Sequence, residues 1–140
     1  NPRNDTLPHL FNYFSHFAIE FLKAANVRCR LDFPDHPPAR TISAEMRHNL
    51  FLAVKEALNN AVRHSQATEV RLRATVNEES LILKVEDDGR GFAGASDDPT
   101  ADGLRNMRQR MEEISGHFNI ESAPGKGTKV TLTCSWSPRE

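Results

Sequence analysis

The strongest restriction on the fold comes from the order in which helix-like and strand-like hydrophobic patterns follow one another along the chain. Apolar residues recur every three or four positions over 10–25, 43–64 and 103–115, which predicts three amphipathic helices. Apolar and polar residues alternate over 27–33, 69–76, 80–87, 117–122 and 128–136, which predicts five strands. Short turn segments separate strands two and three, and also strands four and five, so each pair is predicted to form an antiparallel hairpin. This order of elements predicts an α+β two-layer sandwich with helices on one face of the sheet.

Composition excludes several classes of protein. The chain has 140 residues, enough for a single domain spanning 1–140. The 18 basic and 19 acidic side chains nearly cancel, which excludes a generic basic nucleic-acid binder and an acidic disordered tail. The sequence has no apolar run near the ~18 residues of a membrane helix. Cys29 and Cys134 lack metal-ligand spacing, so we expect two reduced thiols in a cytosol-type compartment. Because the chain begins with Asn and has no signal-like leader, we expect a domain excised from a longer protein.

The second predicted helix carries a polar ridge. At about 100° per residue, Glu56, Asn60 and Arg63 or His64 fall on one side of this helix, opposite its apolar face. Carboxylate and amide oxygens suit Mg²⁺, and an arginine neutralises phosphate charge, so the ridge fits a magnesium triphosphate. Taken alone, the spacing favours a simpler interpretation, a solvated helix face that holds one i,i+4 hydrogen bond.

An acidic, glycine-containing turn follows the third predicted strand. The turn reads Asp-Asp-Gly-Arg-Gly-Phe over residues 87–92, and all seven glycines of the chain lie between Gly89 and Gly127. Glycines two residues apart let the backbone approach a ligand closely, and Asp87 can accept a hydrogen bond from an exocyclic amine. An ordinary turn explains the pattern as well. A calcium loop is a third interpretation, although the regular EF-hand ligand series is absent.

Taken together, four segments resemble the motifs of the GHKL ATPase family, which has the Bergerat fold. They lie at 56–64 (Glu-Ala-Leu-Asn-Asn-Ala-Val-Arg-His), 87–92, 103–110 (Gly-Leu-Arg-Asn-Met-Arg-Gln-Arg) and 121–128 (Glu-Ser-Ala-Pro-Gly-Lys-Gly-Thr). The resemblance covers 43–136 and implies a mixed, mostly antiparallel sheet. It points to the catalytic, ATP-binding domain of a bacterial sensor histidine kinase. The Gly-Leu-x-x-Met-x-x-Arg segment is typical of the subfamily paired with LuxR-type response regulators.

The resemblance implies roles at the phosphate end of a nucleotide site. Asn60 would coordinate Mg²⁺, and Glu56 would assist in placing the metal and water. Arg63 and His64 would contact the phosphates or the ribose.

At the base end, the resemblance assigns Asp87 to the adenine amino group, a contact that selects adenine over guanine. Gly89 and Gly91 would let the backbone pass the base, and Thr128 would support Asp87 through hydroxyl or water contacts.

The resemblance also implies a lid over 93–102, which we expect to be mobile without nucleotide. Behind it, Gly103 and Leu104 would open a helix whose backbone N–H groups meet phosphate. Relatives often carry a glycine just before this position, where this chain has Ala101 and Asp102. An aspartate there would repel a triphosphate unless a metal screened it.

The implied function is to position Mg-ATP for phosphoryl transfer to a histidine on a dimerisation domain, in two-component signal transduction. None of the six histidines lies in the context expected of an acceptor, a helix in which the histidine is paired with an acidic neighbour, so we expect that domain to be absent from this chain. The isolated domain is then expected to be monomeric and cytoplasmic, within a parent that can be membrane-anchored, and to contact neither membrane nor nucleic acid. The response regulator would be an indirect partner. Two alternatives remain open: a nucleotide-binding or protein-interaction module without transfer activity, and another GHKL ATPase such as an anti-sigma serine kinase.

Overall fold

The computed structural model describes residues 6–93 and 101–136, which contain three helices and five strands. The helices are α1 (Leu7–Ala24), α2 (Ala44–Arg63) and α3 (Ala101–Glu113). The strands are β1 (Arg28–Asp32), β2 (Glu69–Val76), β3 (Ser80–Asp87), β4 (His117–Ser122) and β5 (Thr128–Ser135).

The five strands form one mixed sheet in the order β1-β2-β3-β5-β4. Strand β1 runs parallel to β2, and the segment that joins them contains α2. The other three pairings are antiparallel, and β2–β3 and β4–β5 are the two predicted hairpins. The Asn77 side chain fixes the first hairpin turn by accepting hydrogen bonds from the backbone N–H groups of Glu79 and Ser80 at 2.9 and 2.8 Å. The expected fold class is confirmed.

The core lies on one face of the sheet. Alternate residues of the three central strands are buried there: Val70, Leu72 and Ala74; Leu81, Leu83 and Val85; and Val130, Leu132 and Cys134. The side chains between them are polar or only partly buried on the opposite face, where Arg73 pairs with Asp32 and Glu86 at 3.1 and 3.3 Å. Period-two burial on β2, β3 and β5 therefore places the helices on a single face, as the sequence predicts.

Helix α2 is the element that connects the core to the site described below. It begins where the Ser43 hydroxyl accepts a hydrogen bond from the Met46 backbone N–H at 3.0 Å, an N-cap that the sequence predicts. Its apolar stripe, which includes Leu50 and Leu58, is buried. Helix α3 packs against α2, and its Met107 is fully buried. One side of α2 thus stays available for polar residues.

Two remaining features concern membranes and thiols. Within 6–93 and 101–136, none of the helices combines the length and the apolar character that crossing a bilayer requires. Cys29 on β1 and Cys134 on β5 are both free cysteines, and burial raises the pKa of Cys134 to about 12.

Candidate functional site

A cavity of about 410 Å³ opens between the C-terminal half of α2 and the ends of β3, β4 and β5. Its walls are largely apolar and include Ala57, Val85, Ile120 and Val130. The polar residues that line it are Asn60, His64, Ser65, Asp87, Arg90 and Thr128. The volume lies in the range of sites that hold a small ligand, and few polar groups in an apolar cavity orient such a ligand.

Asp87, the last residue of β3, is the main polar group at one end of this cavity. Its Oδ1 accepts a hydrogen bond from the Ser65 hydroxyl at 2.7 Å and another from the Gly89 backbone N–H at 2.8 Å. Burial raises the pKa of the Asp87 carboxyl, and the hydrogen bonds from Ser65, Gly89 and the Thr128 backbone partly oppose that shift. Asp87 therefore presents a positioned, partly desolvated carboxylate to the cavity.

Three glycines allow the backbone segments around Asp87 to touch. A Cβ atom on Gly89 would lie 2.0 Å from Ser65 Oγ. A Cβ on Gly91, where φ is +63°, would lie 2.2 Å from the Ala123 carbonyl oxygen. A Cβ on Gly127, where φ is +74°, would lie 2.1 Å from the Asp87 carbonyl oxygen. The end of α2, the β3 turn and the β4–β5 turn can approach this closely only without side chains at these positions.

Thr128 lies beside Asp87, and its hydroxyl makes a direct contact with another residue. Thr128 lines the cavity and stands opposite Asp87 in the β3–β5 ladder. Its hydroxyl lies 2.8 Å from the Ser122 hydroxyl, and its backbone helps to lower the pKa of the Asp87 carboxyl. The hydroxyl that bonds directly to Asp87 belongs to Ser65, which is absent from the predicted site residues. In the sequence, the only signal for Ser65 is its position, a hydroxyl residue directly after the predicted end of the second helix.

Next to the cavity, the structure brings together Glu56, Asn60 and Gly103, of which only Asn60 lines the cavity itself. A Cβ on Gly103 would lie 2.6 Å from Glu56 Oε2 and 3.3 Å from Asn60 Nδ2. Gly103 belongs to the first turn of α3, whose backbone N–H groups lack helical partners. Leu104 is 8% exposed and its side chain belongs to the core, so only its backbone is available to a ligand. The first turn of α3 thus meets the polar ridge of α2.

Of the two basic residues predicted for the phosphate end, His64 lines the cavity and Arg63, which is exposed, does not. Arg90 lines the cavity instead, and its Nε donates a hydrogen bond to the His64 carbonyl oxygen at 2.7 Å.

Asp102 is exposed and forms an ion pair with Arg105. Most of the predicted lid, residues 94–100, lies outside the described residues.

The side chains available for a metal are few. The described residues contain no group of three or more His, Cys, Asp and Glu side chains arranged around a metal position. Mg²⁺ does not need such a group, because it binds through one or two protein oxygens together with water and substrate phosphates. Glu56 Oε2 and the side-chain amide of Asn60 both lie beside Gly103, and a carboxylate with an amide fits that requirement.

The fold and the cavity define an ATPase domain of a known family. The chain belongs to the family of histidine kinase-, DNA gyrase B- and HSP90-like ATPases, whose family model matches residues 45–137. Its relatives include the sensor histidine kinase LiaS of Bacillus subtilis (strain 168), which is 34% identical over 121 residues, covering 86% of this chain and 32% of LiaS. The sensor protein VraS of Staphylococcus saprophyticus is 39% identical over 84 residues, covering 60% of this chain and 24% of VraS.

Solved structures agree with these relatives. The histidine kinase domain of the blue-light activated histidine kinase from Erythrobacter litoralis EL346 superposes with a TM-score of 0.74 and 26% identity, covering 89% of this chain and 60% of that chain. The histidine kinase AdeS of Acinetobacter baumannii, at 20% identity and a TM-score of 0.72, shares the fold. These comparisons confirm an ATP-binding domain of the histidine-kinase type. The chain spans only about a quarter to a third of the length of LiaS and VraS.

Proposed function

We propose that the chain binds Mg-ATP in the cavity and positions its terminal phosphate for transfer to a histidine on a separate dimerisation domain. The observation that carries this proposal is the Asp87 carboxylate, held by Ser65 and Gly89 at one end of a largely apolar cavity. The family and the relatives support the same function, because the relatives named above are sensor kinases.

Base recognition occurs at the Asp87 end. The apolar walls suit the faces of a purine ring, and the Asp87 carboxylate accepts a hydrogen bond from the 6-amino group of adenine. Guanine carries a carbonyl oxygen at that position, which an ionised carboxylate repels, so the site selects adenine. Gly89 and Gly91 leave the backbone bare beside the base, and Thr128 supports Asp87 through its backbone.

Phosphate and metal binding occur where α2 meets α3. Asn60 and Glu56 are the residues that would hold Mg²⁺ beside the phosphates, and Glu56 would also orient water near the metal. His64 contacts phosphate or ribose oxygens from the cavity lining, and the exposed Arg63 beside it adds positive charge outside that lining. The backbone N–H groups of Gly103 and Leu104 donate to the phosphates at the positive end of α3. Bound Mg-ATP supplies the transferable phosphoryl group, and the protein contributes orientation and charge neutralisation.

Asp102 does not contradict phosphate binding at this end. Its carboxylate is exposed and paired with Arg105, so its negative charge is partly neutralised. Both side chains are well exposed, and we attribute little stability to this pair.

The same proposal assigns a response regulator, a cellular location and an oligomeric state. The phosphorylated histidine then passes its phosphoryl group to a response regulator, which we assign to the LuxR type on the Gly-Leu-x-x-Met-x-x-Arg segment at 103–110. The domain operates in the cytoplasm, where ATP is available, and as a monomer when isolated.

Two measurements test the proposal. Calorimetric titration of the chain with ATP, ADP and GTP, with and without Mg²⁺, is expected to show a preference for adenine and tighter ATP binding with the metal. Phosphotransfer is then measured with radiolabelled ATP and the dimerisation domain of the parent kinase added separately, followed by a LuxR-type receiver. Adenine-selective binding without labelling of the dimerisation domain would reduce the chain to a nucleotide-binding module. Binding that does not distinguish ATP from GTP would refute the role of Asp87.

A further inference from the structure

Ser65 is unusual among the described residues because it is polar and almost fully buried. It is 7% exposed, and Asn49 is the only other polar residue in the described part of the chain that is as deeply buried. Ser65 lies two residues beyond the end of α2 and lines the cavity. A buried hydroxyl needs a hydrogen-bond partner, and the identity of that partner indicates its role.

The direction of the Ser65 hydrogen bonds follows from the chemistry of the partners. An ionised carboxylate only accepts, so the Ser65 hydroxyl donates to Asp87 Oδ1 across 2.7 Å. The Gly91 backbone N–H donates to Ser65 Oγ at 3.5 Å. Since the Gly89 N–H also donates to Oδ1, two donors from different segments hold the same carboxylate oxygen. Oδ1 is thereby occupied, and the acceptor capacity left on Oδ2 remains for a ligand.

The backbone of Ser65 is anchored independently of its hydroxyl. Its N–H donates to the Asn60 carbonyl oxygen at 2.9 Å, and its carbonyl oxygen accepts from the Arg90 N–H at 2.8 Å. An alanine at this position would keep both backbone bonds. The hydroxyl is therefore not required to join the end of α2 to the β3 turn, and a change confined to it tests the orientation of Asp87.

We propose that Ser65 is a specificity-determining positioning residue, whose hydroxyl fixes the Asp87 carboxylate in the orientation that accepts the 6-amino group of adenine. This inference rests on the proposed function, because it requires a purine at the Asp87 end of the cavity. Ser65 acts through Asp87 and makes no bond to the phosphates. Its removal is therefore expected to weaken recognition of the amino group and to leave the rest of nucleotide binding unchanged.

The experiment compares two ligands that differ by one amino group. Calorimetry on the whole chain measures the affinities for ATP and for purine riboside 5′-triphosphate, which lacks the 6-amino group, with Mg²⁺ present. In the wild type, ATP is expected to bind more tightly than the analogue. In Ser65→Ala, the ATP affinity is expected to fall about tenfold, the magnitude of a lost hydrogen bond to a charged group, while the analogue affinity stays unchanged.

A matched control separates positioning from stability. Ser43 caps the opposite end of the same helix and lies away from the cavity, so Ser43→Ala lowers the melting temperature but is expected to preserve the ratio of the two affinities. If Ser65→Ala does not fold, Ser65→Cys serves in its place, because a thiol has nearly the same shape and is only a weak donor.

The outcomes are distinguishable. A selective loss of ATP affinity supports the assignment of Ser65. If the ratio of the two affinities in the Ser65 variant equals that of the wild type, the assignment is overturned and the proposed function stays intact. This covers both unchanged affinities and an equal loss for the two ligands. A wild type with equal affinity for the two ligands overturns the contact between Asp87 and the amino group, and the proposal for Ser65 with it.

Discussion

The substitution Asp87→Asn changes one atom at the base end of the cavity and reverses its hydrogen-bonding character. The amide oxygen of Asn can replace Asp87 Oδ1, because it accepts the hydrogen bonds from Ser65 and Gly89 as the carboxylate does. The amide nitrogen then takes the position of Oδ2 and presents a donor to the ligand. The 6-amino group of adenine is a donor too, so the two groups cannot bond, whereas the carbonyl oxygen of guanine can accept.

The expected loss of ATP affinity follows from the type of bond removed. A hydrogen bond to a charged group contributes about 1.5–3 kcal/mol, which corresponds to a rise of about tenfold to a hundredfold in the Kd for ATP. The GTP affinity is expected to hold or improve, so the preference between the two nucleotides narrows or reverses. Calorimetric titration with both nucleotides, with Mg²⁺ at pH 7, measures this preference.

The same substitution is expected to stabilise the protein without nucleotide. Burial raises the pKa of Asp87 above its unfolded value of 3.8, so its contribution favours folding below pH 3.8 and is lost as the pH rises through the folded pKa. At pH 7 the ionised carboxylate therefore costs stability, which an amide avoids. Thermal unfolding is expected to show a higher melting temperature for Asp87→Asn at pH 7, with the difference shrinking as the pH approaches 3.8.

The neighbouring aspartate provides the matched control. Asp88 accepts from the Thr68 hydroxyl and from the backbone N–H groups of Thr68 and Glu69, outside the cavity, and the Thr68 hydrogen bond is the main cause of its lowered pKa. Its stabilising contribution is present above pH 3.8 and is lost as the pH falls through the lower folded pKa. Asp88→Asn is thus expected to reduce stability at pH 7 and to keep the nucleotide preference. An Asp87→Asn variant that binds ATP as tightly as the wild type would refute the reasoning.

Other substitutions test the metal site, the turn and the core. Asn60→Ala is expected to remove the Mg²⁺-dependent part of ATP binding and to leave the affinity in EDTA unchanged; an undiminished metal effect in calorimetry would exclude Asn60 from the site. Gly127→Ala is expected to cost about 1–3 kcal/mol in chemical denaturation, because its φ of +74° and the Asp87 carbonyl oxygen leave no room for a Cβ. Met107→Ala removes a fully buried side chain between α2 and α3, and the free energy of unfolding is expected to fall by about 2–5 kcal/mol. A fall below about 1 kcal/mol would mean that neighbouring side chains move into the space that Met107 leaves.

Local pattern was sufficient to predict most of the fold. Strands β2, β3 and β4 begin and end where the alternation of apolar and polar residues predicts, because turn residues bound each of them. Helix α1 begins at Leu7, three residues before its predicted start. Its start depends on contacts with a distant segment: the Leu7 N–H donates to the Arg40 carbonyl oxygen, and Thr6 forms a β-bridge with Thr41. A periodicity measured along the chain does not contain these contacts.

The residues of the site, too, fall into those that the sequence predicts and those that it does not. Asn60 and Asp87 were predicted because each lies within a short motif, and the structure places both on one cavity. Ser65 and Arg90 were missed, since their roles come from hydrogen bonds to residues 22 and 26 positions away. Arg63, the last residue of α2, is exposed and does not line the cavity, because sharing a helix face with Asn60 does not by itself place a side chain in the cavity. The motifs therefore predict cavity residues such as Asn60 and Asp87 better than they predict the hydrogen-bond partners that position those residues.

The parallel pairing of β1 with β2 has a consequence for the order of folding. The hairpins β2–β3 and β4–β5 close over short turns, whereas β1 can pair with β2 only after the chain between Asp32 and Glu69, including α2, has been arranged. Closing a longer loop costs more chain entropy, so contacts of this kind form late. Destabilising changes in β1, such as Cys29→Ala at the strand's half-buried position, are therefore expected to accelerate unfolding while leaving the refolding rate nearly unchanged, and the first strand of the chain is the last to join the sheet.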